Sequence, residues 1–88
     1  MEQHHKSNHD RLDQCLNAVN KTSDIRARSA LWKMYTNVRK TWVEMDQEMV
    51  QCRRAKRLTP KYKELESKLT TYIAEFEQWL TMAALLYA

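Results

Sequence analysis

The chain reads as an all-α protein: a three-helix bundle with one short helix packed on a long antiparallel helical hairpin. Three observations predict this. Glycine is absent and proline occurs once in 88 residues, so turns needing positive φ lack their usual residue and sheet hairpins lose their best signals. Apolar residues recur at spacings of three and four over two long stretches. Between those stretches Thr59 precedes Pro60, the arrangement of a helix N-cap and a first helical residue.

The length allows a single domain, residues 1–88, near the lower size at which one hydrophobic core suffices. Apolar residues make up 43% and charged residues of mixed sign 30%, which excludes both a disordered tail and a membrane-embedded chain. The longest apolar run, "LTMAALLYA", is about half the roughly 20 residues a bilayer span needs, so no transmembrane segment is expected. "MEQHHKSNHD" has neither an apolar h-region nor an arginine-rich amphipathic pattern, and no secretory or import signal is expected. Cys15 and Cys52 both fall on apolar faces and read as reduced core thiols, as in a cytoplasmic or nuclear protein.

The elements follow in order. Residues 1–7 are expected to be disordered. Ser7 or Asn8 supplies an N-cap, and Leu12, Cys15, Leu16 and Val19 place a first helix over about residues 8–22. It stops at "NKTSD", whose side chains favour local backbone bonds and whose Ser23 or Asp24 caps the next helix. The second helix, about 24–57, carries Leu31, Tyr35, Val38, Trp42, Met45, Met49 and Cys52 at alternating steps of four and three, a heptad seam. Trp32, Val43 and Val50 flank that seam and widen the apolar face, so the helix is expected to touch more than one neighbour. The third helix, about 60–87, carries Tyr62, Leu65, Leu69, Tyr72, Phe76, Trp79, Ala83 and Leu86 on its seam, flanked by Ile73, Leu80 and Tyr87. A connection of two to four residues makes the two long helices antiparallel.

No catalytic or cofactor site is expected. Asp46, Glu48, Glu64, Glu66, Glu75 and Glu77 lie on polar faces among cations, without the burial that tunes a carboxyl group for acid or base work. His5 and His9 have the spacing of two metal ligands on one helix face, but no third ligand lies close, so they read as part of a solvated terminus and no metal is expected. The aromatic residues read as core, with Tyr62, near a basic segment, the one expected to be partly exposed.

Two features point toward partners. A first helix of about 15 residues covers only part of the hairpin. Met45, Met49, Cys52, Tyr62, Leu65 and Leu69, near the hairpin tip, are then left bare as an interface for a second copy or a helix of another protein. The tip itself, "RRAKRLTPKYK", concentrates cations. Arg53, Arg54, Lys56 and Arg57 suit the end of a helix dipole, but Lys61 and Lys63 sit at the start of the next helix, where cations are mildly unfavourable. These six are candidate contacts for a polyanion: an acidic protein surface, anionic headgroups or a nucleic-acid backbone. The leading expectation is a non-catalytic interaction or scaffold module associating through its heptad seams, and the alternative is polyanion binding at the tip.

"YIAEFEQWLTMAALL", with Phe76, Trp79 and Leu80 on its apolar side, resembles a helix of the spectrin-repeat family, and "LWKMYTNVRKTWVEMD" is similar in style. The resemblance covers about residues 31–88. It implies a three-helix bundle and a scaffold role in cytoskeletal or nuclear-envelope assemblies, without catalysis. A spectrin repeat is longer than this chain and has three helices of comparable length, whereas the first helix here reads as short.

Overall fold

In the computed structural model, which describes residues 1–86, three helices follow one another: α1 (Glu2–Lys21), α2 (Ile25–Ala55) and α3 (Pro60–Leu86). They form an all-α three-helix bundle, drawn out to 48 × 17 × 15 Å. α2 and α3 make the antiparallel hairpin, and α1 lies chiefly along α2, touching α3 much less.

Local chemistry sets the ends of the hairpin helices. The Asp24 carboxylate accepts the backbone N–H groups of Arg26 and Ala27 at 2.9 and 3.0 Å, capping α2. Thr59 Oγ1 accepts the Tyr62 N–H at 3.2 Å, which puts Pro60 at the first helical position of α3. α2 ends two residues sooner than the cation run suggests, because Lys56 adopts a left-handed conformation (φ 56°). The Lys56 and Arg57 N–H groups then turn back onto the carbonyls of Arg53 and Cys52. In a chain without glycine, a lysine takes the conformation a glycine usually would.

α1 departs most from expectation. It begins at Glu2, and residues 2–7 are helical, not disordered. Ser7 does not cap; its hydroxyl bonds back to the Gln3 carbonyl inside the helix. At 20 residues α1 is about 30 Å long, and its first residue, Glu2, pairs with Arg53 near the hairpin tip. Met45, Met49, Cys52, Tyr62, Leu65 and Leu69 are therefore all buried within the chain. Expected as a bare interface, they are instead part of one continuous core with Leu12, Cys15 and Val19 of α1 and Ile73 and Phe76 of α3.

α3 shows a second departure. Leu65, Tyr72, Trp79 and Leu86 follow one another every seven residues, yet exposure climbs from 5% at Leu65 to 37% at Trp79 and 65% at Leu86. A straight α-helix has 3.6 residues per turn, so a strict seven-residue row rotates by about 20° per heptad. The row starts in the core and ends outside it, and Ile73, Leu80 and Ala83 take over the inward positions. Tyr87, expected on the flank of this helix, lies outside the described residues.

The flank of α2 also differs. Trp32, Val43 and Val50 were expected to meet a further neighbour, but all three are exposed in the folded chain, as is Ile25.

Candidate interaction surface

The site begins with the side chains that α1 carries to the hairpin tip. His5, Asn8, Leu12, Cys15 and Val19 step by 3, 4, 3 and 4, so the first two point inward on the same stripe as the apolar three. His5 reaches both hairpin helices: Nε2 lies 2.8 Å from Asp46 Oδ1 on α2, and Nδ1 lies 2.8 Å from the Tyr62 hydroxyl on α3. Asn8 Nδ2 donates to the same hydroxyl at 3.1 Å and to Glu66 Oε2 at 2.7 Å. His4 pairs with Glu66 as well. With Asn8 donating to the Tyr62 oxygen, the phenol proton is left for His5 Nδ1, which assigns the imidazole N–H facing Asp46 to Nε2.

Aromatic rings close the cluster. The His5 ring stacks on Trp42 at 5.2 Å and 11°, and His9 meets the same indole edge-on at 4.9 Å. The buried indole N–H of Trp42 finds no acceptor among the described residues. At the end of the helix Arg53 grips Glu2 with Nε at 2.7 Å and Nη2 at 3.2 Å, and this hydrogen bond holds the Glu2 carboxyl below the usual carboxylate range.

A tyrosine, a histidine and an aspartate in series have the form of an activated nucleophile. Tyr62 is fully buried, however, and burial pushes its hydroxyl pKa up, away from the phenolate. The arrangement joins three helices and offers no path for a substrate to the oxygen. Asp46, though its side chain stays exposed, and the half-buried Glu66 thus act as partners of α1, and Tyr62, expected to be partly exposed, is among the most buried side chains.

The remaining site residues sit outside this cluster. Arg53 is committed to Glu2, while Arg54, Lys56, Arg57, Lys61 and Lys63 are exposed and take part in none of the ion pairs among the described residues. His5 turns inward, so it does not join His9 as a metal pair. His9, Asp10 and Asp13 instead converge on α1 with ligand atoms within 4.8 Å of one another, His9 Nδ1 already 3.3 Å from Asp13 Oδ2.

Two apolar surfaces lie away from this cluster. Because α1 leans on α2, a groove of about 360 Å³ opens between α1 and α3, floored by Cys15, Ala18, Ile73, Phe76 and Leu80. Burial there pushes the Cys15 thiol up to about 11, which leaves it protonated and unreactive near neutral pH. On the other side, Ile25, Trp32, Val43 and Val50 fall within about 20° of one another around α2 at 3.6 residues per turn. They form one exposed stripe, which the sequence shows but assigns to the interior.

No helix among the described residues is long and apolar enough to cross a membrane. In comparison with known proteins, the chain matches no family model, no curated protein and no solved structure. The class that the fold and its surfaces define is an all-α helical bundle with a polar-pinned tip and an exposed apolar stripe.

Proposed function

We propose that this protein is a non-catalytic interaction module that associates through the outer face of α2. The hairpin seams are occupied by the chain's own core, so the surface offered to a partner is the stripe of Ile25, Trp32, Val43 and Val50. The carrying observation is Trp32, 49% exposed on a face with three other apolar side chains. Isolated apolar side chains on a surface need no explanation, but four large ones aligned on one helix face, a tryptophan among them, have the composition of an interface. The occupant is a helix, of a second copy or of another protein, because a row at helical spacing along one helix is matched by another. A scaffold role of the cytoskeletal or nuclear-envelope kind is what the spectrin-repeat resemblance adds.

A photo-crosslinking residue in place of Val43, in cells that express the protein, tests this reading. The expected outcome is a discrete covalent adduct that disappears when Trp32 is changed to Glu. Failure to form any discrete adduct from either Val43 or Val50 overturns it.

A second reading draws on a separate observation. Five exposed cations without acidic partners among the described residues, Arg54, Lys56, Arg57, Lys61 and Lys63, surround one turn, and such a cluster favours a polyanion with steeply salt-dependent affinity. Retention on heparin near physiological salt, lost in an Arg54→Glu, Lys56→Glu, Arg57→Glu variant, is the expected result. Elution of the unmodified protein at low salt disposes of it.

A further inference from the structure

We infer that the occupant of the α2 stripe is a second copy of this chain, its α2 running antiparallel to the first. The inference rests on the interaction-module reading and adds partner, orientation and register to it.

The outer face of α2 is a second heptad, distinct from the one facing the core. Ile25, Trp32, Arg39 and Asp46 alternate with Ser29, Thr36, Val43 and Val50 at steps of four and three, over about 38 Å of helix. A parallel pairing places each residue beside its own copy. Arg39 then faces Arg39 near the middle of the seam and Asp46 faces Asp46 toward its end, like charges in the same layer. An antiparallel pairing layers the first set against the second. With Trp32 over Val43 of the second copy, Ile25 meets Val50, Ser29 meets Asp46 and Thr36 meets Arg39. No like-charge layer remains, and every large apolar residue of the stripe meets another.

Two further observations fit this register. A shallow depression on α2 is lined by Thr36, Arg39, Lys40, Val43, Glu44 and Gln47, and so includes the residue that Trp32 of the second copy faces. Charge is also matched at the edges. Arg28 comes beside Asp46 of the second copy, whose side chain is 53% exposed.

The test is mass in solution across concentration by sedimentation, followed by disulfide trapping. The unmodified chain should approach twice its monomer mass. Trp32→Ala should weaken the dimer by about 30-fold or more, the scale of a central tryptophan hot spot, and Val43→Glu should leave a monomer of unchanged helicity. Trp79→Glu, a change at a half-exposed tryptophan off the stripe, should leave the dimer intact. In an oxidised mixture of Ile25→Cys and Val50→Cys variants, the disulfide should join one variant to the other. Self-linked Ile25→Cys dimers as the main product overturn the antiparallel register. A monomer at every concentration overturns self-pairing altogether; a Val43 adduct to a different protein then leaves the interaction-module reading standing, and the lack of any adduct removes both.

Discussion

The two halves of α1 dock on the same hairpin by opposite means. From Glu2 to Arg11 the buried residues are His5 and Asn8, and the contacts are polar: to Asp46 and Arg53 on α2, and to Tyr62, Glu66 and Thr70 on α3. From Leu12 to Lys21 the buried residues are Leu12, Cys15 and Val19. The polar half seals its end, while the apolar half leaves the groove of about 360 Å³ against α3. Reach explains the difference. His4, His5, Asn8 and Arg11 are long enough to bond across to α3, whereas Cys15 and Ala18, which face α3 further along, are too short to fill the space. Specific polar contacts can therefore close an interface that small apolar side chains leave open, provided each buried group finds its partner.

The largest expected effect comes from breaking the apolar half. Leu12→Ala should destabilise the fold by about 2–5 kcal/mol, read as a lower denaturant midpoint with unchanged slope. A second probe of that half is alkaline pH. The Cys15 thiol is raised from 9.0 to about 11 in the folded chain, so the stability it contributes is complete below about pH 9. It is lost as pH rises through about 11, because the unfolded chain ionises first. Cys15→Ala should flatten that loss in pH-dependent melts. A remainder should persist from Tyr35 and Tyr62, whose hydroxyls burial pushes up in the same direction.

Breaking the polar half should cost less but act locally. His5→Ala leaves the Tyr62 hydroxyl and Asp46 without their shared partner, for about 1–3 kcal/mol. Hydrogen exchange should speed up over residues 2–11 and much less over 12–21. The combination His5→Leu, Asn8→Leu and Tyr62→Phe should recover a good part of the loss, since removing all the polar partners together strands few of them. A combination no more stable than His5→Ala alone would show that packing, not hydrogen bonding, holds this end. The smallest change sharpens the contrast from the other side. Ala18→Leu should fill the groove and raise stability by about 0.5–2 kcal/mol.

The hairpin was legible because its signals are local. Asp24 and Thr59-Pro60 mark helix starts by chemistry within three residues of themselves, and the seam of α2 is carried by residues whose preference for burial does not depend on what they meet. The start of α1 was not legible. The 3-4-3-4 stripe does run back through Asn8 to His5, but polar residue types carry no sign that they will be buried. Reading His5 as part of a solvated terminus and Ser7 or Asn8 as the cap of a helix starting near residue 8 left the tip bare and turned Met45, Met49, Cys52, Tyr62, Leu65 and Leu69 into an apparent interface. The one hint was Tyr62 itself, a seam residue whose hydroxyl needs a partner when buried. The rotation of Trp79 and Leu86 out of the core was hidden for another reason, since a heptad row reads the same whether its helix supercoils or stays straight.

Legible in the sequence alone is the all-α architecture: three helices, the antiparallel hairpin, a cap at Ser23 or Asp24 and another at Thr59, and the two apolar rows along α2. Only the tertiary structure decided which of those rows is core and which is surface. Burial of His5 and Asn8 becomes favourable when Tyr62, Asp46 and Glu66 arrive from two other helices to complete their hydrogen bonds. That arrival lets α1 extend to the tip, closes the inner row of α2, and leaves the row of Trp32, Val43 and Val50 as the one that faces out.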